Sequence, residues 1–468
     1  MNYIEAKQFI ENTKKYGSVL GLKSIKTLLN EMGNPQNNLN IVHIAGTNGK
    51  GSTMAFLSSI LMTAGYKVGR YSSPAVFEDD EIIQINNQNI EKLQLADIIS
   101  KIKEKCQKIF ETKGFHPTSF EIETALAFEY FRRNNCQIVL VECGMGGESD
   151  ATNVFEKNLC SIISNISLDH TAFLGDTIEQ IAKIKSGIIK KKCPVVIASQ
   201  SKEATDVIIN KANQKNSPYI CAKVADLSFD GNKNNVKYKA TNQKEYNATI
   251  NMLGTYQKNN VAAAIEAALA LDGKTITTKT ATVLNGEINE SGFGLNGIMV
   301  TTEPQKLTLN IEPFIEEGIS KAQWKGRMEI ISKSPLFIID GAHNPGAVSQ
   351  LSDSIDLYFT NKRITFIMGV LADKDFDEES RIISKKATNI ITVTPNNKRA
   401  LSGERLAETV LKYNKNVQYI EQIYKAVEIA FNQVQSGDSD MILAFGSLSH
   451  LKDIKQAVIG QKERTIDV

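Results

Sequence analysis

Short apolar runs recur along the chain, and between them apolar residues return every three to four positions. Ile41–Ala45, Gln137–Glu142, Leu159–Ile166 and Pro194–Ala198 lie in the first half. Leu336–Asp340, Ile364–Val370, Ile390–Val393 and Met441–Phe445 lie in the second. Helical patterns such as Met54–Ala64, Phe120–Arg133 and Thr177–Ile189 separate them. Continuous apolar strands are buried on both faces, and their alternation with helices predicts mainly parallel sheets covered by helices. Two groups of runs therefore predict an α/β chain of two domains. Between the groups, Asp226–Ile250 alternates like an antiparallel meander, and Val261–Leu271 reads as an alanine-rich buried helix. Thr275–Asn310 is polar and shows no clear period. The boundary is expected near Trp324–Arg327, dividing the chain into 1–322 and a smaller 323–468.

Composition narrows the class. The 468 residues are 42% hydrophobic and 23% charged, which is ordinary for a globular chain. Fifty-four basic against 52 acidic residues leave a net charge of +2, so no global field favours nucleic acid or a membrane surface. No stretch approaches the ~20 apolar residues of a membrane helix. The N-terminus lacks the apolar core of a signal peptide. Six cysteines without a C-x-x-C pair read as reduced thiols, and a cytoplasmic location is expected.

The chemistry is concentrated where apolar runs end. Ile41–Thr53 reads IVHIAGTNGKGST: a strand, a glycine-rich turn, then a helix. Glycines let successive N–H groups face one anion, and the helix N-terminus adds its dipole. Lys50 supplies a charge for phosphates, and Ser52 or Thr53 a hydroxyl for magnesium. The loop departs from the strict Walker pattern, because Ile44 replaces its first glycine and Gly51 separates lysine from hydroxyl. Glu142 ends one run beside Gly144, Gly146 and Gly147, a place suited to a cation. Asp169 and His170 follow another run, and Ser72-Ser73-Pro74 a third. Asp340 and His343 follow Leu336–Ile339, and Arg327 stands at the expected boundary. Taken singly, each also reads as a turn, a cap or a solvated side chain, Lys185 above all.

Together these blocks carry a resemblance. The chain resembles the folylpolyglutamate synthase/dihydrofolate synthase family of the Mur ligase superfamily. HIAGTNGKGST, Ser72–Asn86, Thr118–Phe131, Val141–Val154, Asn165–Ile188, Gly254–Leu269, WKGRMEII, IIDGAHNPGAV, MGVLADKDF and FGSLSHLKDI occur in the family's order. The resemblance implies an N-terminal P-loop ATPase domain and a C-terminal Rossmann-like α/β domain. It implies an ATP-dependent ligase, monomeric, that adds L-glutamate to a folate or to dihydropteroate, with a non-folate acceptor as the alternative. Gly49, Lys50, Gly51, Ser52, Asn260, Arg327 and Asp340 would contact ATP. Ser73 and Glu142 would hold one magnesium ion, and His170 with a carbamylated Lys185 a second. His343 would face a reacting carboxylate. Lys50, His170, Lys185 and His343 would form the catalytic set. Phe120, Glu121, Ile122, Glu123, Ser149, Asp150 and Ala151 would line the acceptor.

Three departures lie near that acceptor. Ala75-Val76 stands where the family has a histidine, Glu148 where it has an arginine, and Ile82 where it has another. Thr275–Asn310 exceeds the family's usual length and is expected to form a surface excursion beside the interdomain linker.

Overall fold

The apolar runs become the central strands of two sheets in the computed structural model, which describes residues 1–17, 21–231, 233–285 and 298–466. The first sheet contains β1 (Ile41–Ala45), β2 (Val68–Tyr71), β3 (Ile83–Ile85), β4 (Gln88–Asn89), β5 (Ile138–Glu142), β6 (Cys160–Ile163), β7 (Val195–Ile197) and β8 (Tyr219–Cys221). Their order is β4-β3-β2-β5-β1-β6-β7-β8. Strands β2, β5, β1, β6, β7 and β8 run parallel, and β3 and β4 add an antiparallel edge.

Successive strand residues face opposite sides of a sheet. Val42 and Ile44 pack with Phe56 and Ile60 of the helix Lys50–Thr63 and Val261 and Ala264 of the helix Gln257–Leu271. Ile41, Val139 and Val141 pack on the other side with Ile122 and Phe128. Alanines in Gln257–Leu271 let that helix lie close to its neighbour.

The alternating segment is a meander of β9 (Asp226–Phe229), β10 (Asn234–Lys239) and β11 (Glu245–Ile250), in order β11-β10-β9. The long polar stretch contradicts its aperiodic reading. It contains two antiparallel strands, β12 (Thr275–Asn285) and β13 (Ile298–Thr308), paired in continuous register. Threonine's branched Cβ suits a pleated ribbon, and dense polar residues on both faces hide the two-residue period. The base of this ribbon is tied to the N-terminal ends of the first sheet. Asn40 Nδ2 donates to Thr277 O at 2.8 Å, and the amide of Asn310 donates to Tyr66 Oη at 2.7 Å. The helix Ile315–Lys321 then separates the ribbon from the linker. The excursion therefore leaves the end of the sheet opposite the phosphate loop. Residues 286–297 of the stretch lie outside the described residues.

The second sheet orders β14 (Glu329–Lys333), β15 (Leu336–Ile339), β19 (Met441–Phe445), β16 (Ile364–Met368), β17 (Asn389–Thr392) and β18 (Val417–Tyr419). All pairs are parallel except β14 with β15. The antiparallel β14 and the short β18 carried too few apolar residues to stand out in the sequence. The chain is thus an α/β fold of two domains, with a mainly parallel first sheet and a mixed second one. The C-terminal end of β15 meets those of β1 and β6. Asn344, just past β15, exchanges two 3.1 Å hydrogen bonds with Asn48 of the phosphate loop. Among the described residues no helix is long and apolar enough to cross a membrane.

Candidate active site

The loop after β1 is shaped by what its glycines touch. Gly49 caps the helix Lys50–Thr63 with φ +86°, and a Cβ there would lie 2.3 Å from Asn260 Oδ1. A Cβ on Gly51 would lie 2.7 Å from the indole of Trp324. The amides of Thr47 and Asn48 donate to Asn165 O at 2.8 and 3.1 Å, fixing the loop's outer limb. First-turn amides of a helix have no intrahelical partner, so those of Lys50, Gly51 and Ser52 form a ready anion site. Lys50 Nζ lies over this limb, donating to Gly46 O at 3.2 Å and Thr47 O at 3.1 Å.

Glu142, at the end of β5, is buried with one oxygen 3.8 Å from Lys50 Nζ. Burial raises its carboxyl, and the charges of Lys50 and Arg327 work against that. Lys185, from the helix Ile178–Lys185, reaches inward to donate to Gly46 O at 2.9 Å. Burial first, and then the Lys50 charge, lower its ammonium to about 7. A neutral lysine amine is nucleophilic enough to take up CO2, so the state needed for a carbamate is the one this pocket favours.

The other domain closes the far wall. Asp340, at the end of β15, is buried and accepts from Tyr256 Oη, Met328 N and Ala342 N at 2.9, 2.9 and 2.7 Å. Tyr256 belongs to the first domain, so this carboxylate also bridges the two. Arg327 Nη1 donates to Gly326 O at 3.0 Å, and its charge is felt by both Glu142 and Asp340. His343 Nδ1 lies 2.6 Å from Gly341 O, and burial followed by the Lys374 charge lowers its imidazole to about 4. His170 Nε2 and His343 Nε2 each stand 3.9 Å from Asp169 Oδ2. Burial lowers His170 as well, so both rings are neutral bases near pH 7.

The residues expected to line the acceptor are not brought together as one block. Phe120 packs its ring end against Gly144, where a Cβ would lie 2.6 Å away, and its ring centroid is 6.2 Å from that of Tyr71. Glu123 is raised to about 7 by burial. Ile122 and Glu121, by contrast, are turned from the site. Ile122 is fully buried in the hydrophobic core. Glu121 Oε2 closes the capping box of the helix Ser119–Arg133, accepting from Thr118 N at 2.8 Å, and also takes Ser24 Oγ at 2.9 Å. Side chains at i and i+1 diverge by about 100° on a helix, so four consecutive residues cannot all line one pocket. Asp150 is internally engaged, accepting from Met145 N and from Thr152 N and Oγ1, which pins the glycine loop after Glu142. Ser149 is half-buried and Ala151 buried beside it.

Several site residues were not singled out from the sequence. Trp324 bridges Gly51 and Arg70, whose guanidinium lies 4.9 Å from the indole centroid. Trp324 and Arg70 line a cavity of about 810 Å³ together with Ser72, Val76 and Arg327. Lys374, Asn344 and Asp169 form a seam between the domains. Asp169 stood out by its place just past a strand, but spacing gave no signal for Trp324, Asn344 or Lys374, since their meaning comes from the opposite domain.

The magnesium sites were expected at Ser73, Glu142, His170 and Lys185. Among the described residues no three His, Cys, Asp or Glu side chains form a ready cage. The donors nevertheless fit: a buried carboxylate with no hydrogen bond from Lys50 at 3.8 Å, a neutral imidazole, and an amine poised to become an oxygen donor.

Residues 44–268 match the Mur ligase middle domain, and residues 326–448 match the Mur ligase glutamate ligase domain. The dihydrofolate synthase/folylpolyglutamate synthase of Bacillus subtilis is 30% identical over 459 residues, covering 97% of this chain and 98% of that protein. The chain belongs to the folylpolyglutamate synthase/dihydrofolate synthase family. The folylpolyglutamate synthase of Lacticaseibacillus casei is 29% identical across 99% of this chain and 100% of its own. A folylpolyglutamate synthase structure from Mycobacterium tuberculosis, complexed with ADP and AMPPCP, shares the fold with a TM-score of 0.82 at 22% identity, covering 98% and 99% of the two chains. An FPGS–AMPPCP–folate complex superposes with a TM-score of 0.78 at 27% identity, covering 98% and 100%.

Within this family fold, the three departures lie apart: Val76 packs on the core of the second domain and Ile82 on that of the first. Glu148 is exposed, 3.9 Å from Lys211. Val76 and Ile82 bracket a loop held by Glu81, whose Oε1 accepts from Phe77 N at 2.9 Å while Oε2 pairs with Lys325 of the linker at 3.1 Å.

Proposed function

We propose that the chain is an ATP-dependent ligase that joins L-glutamate to a folate, and that dihydropteroate is a second acceptor. The observation that carries this reading is one cleft in which Lys50, Glu142 and Lys185 of the first domain face Arg327, Asp340 and His343 of the second. We place the division at 322/323, since Ala322 is the last buried residue of the first core and Met328 already belongs to the second.

In this reading ATP lies with its phosphates on the amides of Lys50–Ser52 and its nucleoside between Asn260, Arg327 and Asp340. A carboxylate oxygen of the acceptor attacks the γ-phosphorus, and ADP leaves. The glutamate amine then attacks the acyl phosphate carbonyl, loses a proton and expels phosphate. Lys50 and Arg327 neutralise charge on the transferred group. Ser73 with Glu142, and His170 with a carbamylated Lys185, would hold two magnesium ions, which supply further charge neutralisation when bound. His343, a neutral base beside the seam, is placed to receive the proton of the incoming amine. The second domain covers the cleft and excludes the water that would hydrolyse an acyl phosphate. One chain supplies both walls, so a cytoplasmic monomer is the working unit of this proposal.

Phosphate release by the purified chain, with ATP, glutamate and either tetrahydrofolate or dihydropteroate, tests the reading. Release dependent on both glutamate and a folate is expected. No release with either acceptor would move the reading to a ligase of this superfamily acting on a non-folate acceptor.

A further inference from the structure

Asp169 of the first domain is gripped by the second. Lys374 Nζ pairs with its Oδ1 at 2.5 Å, and Asn344 Nδ2 donates to its Oδ2 at 3.2 Å. The ion pair is sealed, with the two side chains only 6% and 7% exposed. Burial alone would raise the Asp169 carboxyl, but the ammonium of Lys374 outweighs it and holds the group ionised. Asp169 in turn stands between the two imidazoles of His170 and His343.

A second carboxylate follows Lys374 by five residues in the chain. Glu379, in the helix Phe376–Ile383, is fully buried, and neither of its oxygens has a hydrogen-bond partner among the described residues. Burial raises this carboxyl to about 8, and Lys374 is the main charge opposing that rise. A carboxyl buried without a partner is unfavourable, and an apolar residue of similar size would avoid that cost. Such a group gains a purpose if it has a partner in another state of the molecule. The charge that most opposes its burial is the one now drawn across the cleft.

We infer that Lys374 is a positioning residue of the ligase reaction, exchanging its partner Glu379 within its own domain for Asp169 as the domains dock. Seating on Asp169 fixes the carboxylate between the two histidines and ties the site's completion to closure. Asn344 reports the same event to the phosphate loop through its paired bonds with Asn48. The inference rests on the ligase reading for its kinetic half only.

The test compares Lys374→Met, Lys374→Arg and Glu379→Gln in the full chain. It reads phosphate release and the radius of gyration by small-angle scattering, with and without a non-hydrolysable ATP analogue. Lys374→Met is expected to lose about 100-fold in kcat, because Asp169 is left unpaired and mispositioned. Its KM for ATP rises by about tenfold at most, less than kcat falls, since the phosphate-loop amides still hold the nucleotide while the second-domain contacts loosen. It stays expanded when the analogue is added. Lys374→Arg recovers about tenfold of that loss, a rescue that a merely structural role would not give. Glu379→Gln removes the competing partner, so the chain is already compact without nucleotide and its KM for glutamate falls. Wild-type turnover by Lys374→Met, or a wild-type radius and KM in Glu379→Gln, would overturn the inference. If the wild-type chain releases no phosphate at all, the ligase reading fails, while the scattering comparison still decides the exchange. Glu379→Gln also keeps the test open should Lys374→Met not fold.

Discussion

The nucleotide wall and the acceptor wall of the cleft are built by different means. On the nucleotide wall the backbone does the positioning. The loop after β1 and the first turn of Lys50–Thr63 aim amides, while Gly49 and Gly51 leave room for Asn260 and Trp324. On the acceptor wall, side chains on the helix Ser119–Arg133 do it, and neighbours on one helix point in different directions. In the proposed reading Phe120 and Glu123 belong to that wall, whereas Ile122 fills the core and Glu121 caps its own helix. A motif that works through its backbone can be read as a block. A motif that works through side chains has to be read face by face.

The largest expected effect is on the nucleotide side. Lys185, on that side, has its ammonium pushed down to about 7, chiefly by burial. Lys185→Ala is expected to lower kcat by about 1,000-fold, the scale of removing a key charge-stabilising group. A short carboxylic acid added to the assay is expected to restore part of the activity by standing in for a carbamate. Full activity in Lys185→Ala would show that the wall needs only its amides and Lys50.

Most of the architecture was legible because buried parallel strands are continuous apolar runs. Ile41–Ala45 and Met441–Phe445 have the same limits in sequence and structure. What stayed hidden was of two kinds. At the described ends of the ribbon β12–β13, and along the edge strand β14, the side chains are partly solvated, so no apolar signal marks them. Asp169, Asn344 and Lys374 acquire their roles from residues 175 and 205 positions away. No local pattern encodes such pairings. Glu121 carried a readable signal: Thr118-x-x-Glu121 is a capping box, a structural motif that competes with any ligand role.

That competition yields a smaller, separable prediction. Ile122→Ala should cost about 2–5 kcal/mol of stability, as expected for a core truncation. The folate KM of the folded fraction should stay at its wild-type value. Phe120→Ala should instead raise the folate KM, since its ring lies against Gly144 at the open side of the wall. Thermal melting and steady-state kinetics on both variants check the pair. A raised folate KM in Ile122→Ala with normal stability would return the whole Phe120–Glu123 block to the acceptor.

Glu123 offers the finest cut. Its carboxyl is raised from 4.5 to about 7, chiefly by burial, with Lys7 and Lys14 opposing and Asp79 and Glu11 assisting. Between those values the folded chain binds more protons than the unfolded one, so stability falls as pH rises. The contribution of Glu123 is fully present below pH 4.5 and is lost as pH passes about 7. Glu123→Gln cannot lose a proton. Its melting temperature relative to wild type should therefore climb between pH 5 and 8. A flat difference would mean that the wild-type carboxyl titrates at an ordinary value. Saturating folate adds the deciding comparison. A group facing the acceptor's amide and amine donors is favoured in its ionised form, so folate should bring the upper end of this climb below 7. An upper end that folate leaves unchanged would place Glu123 with Glu121 and Ile122, as part of the helix's own packing.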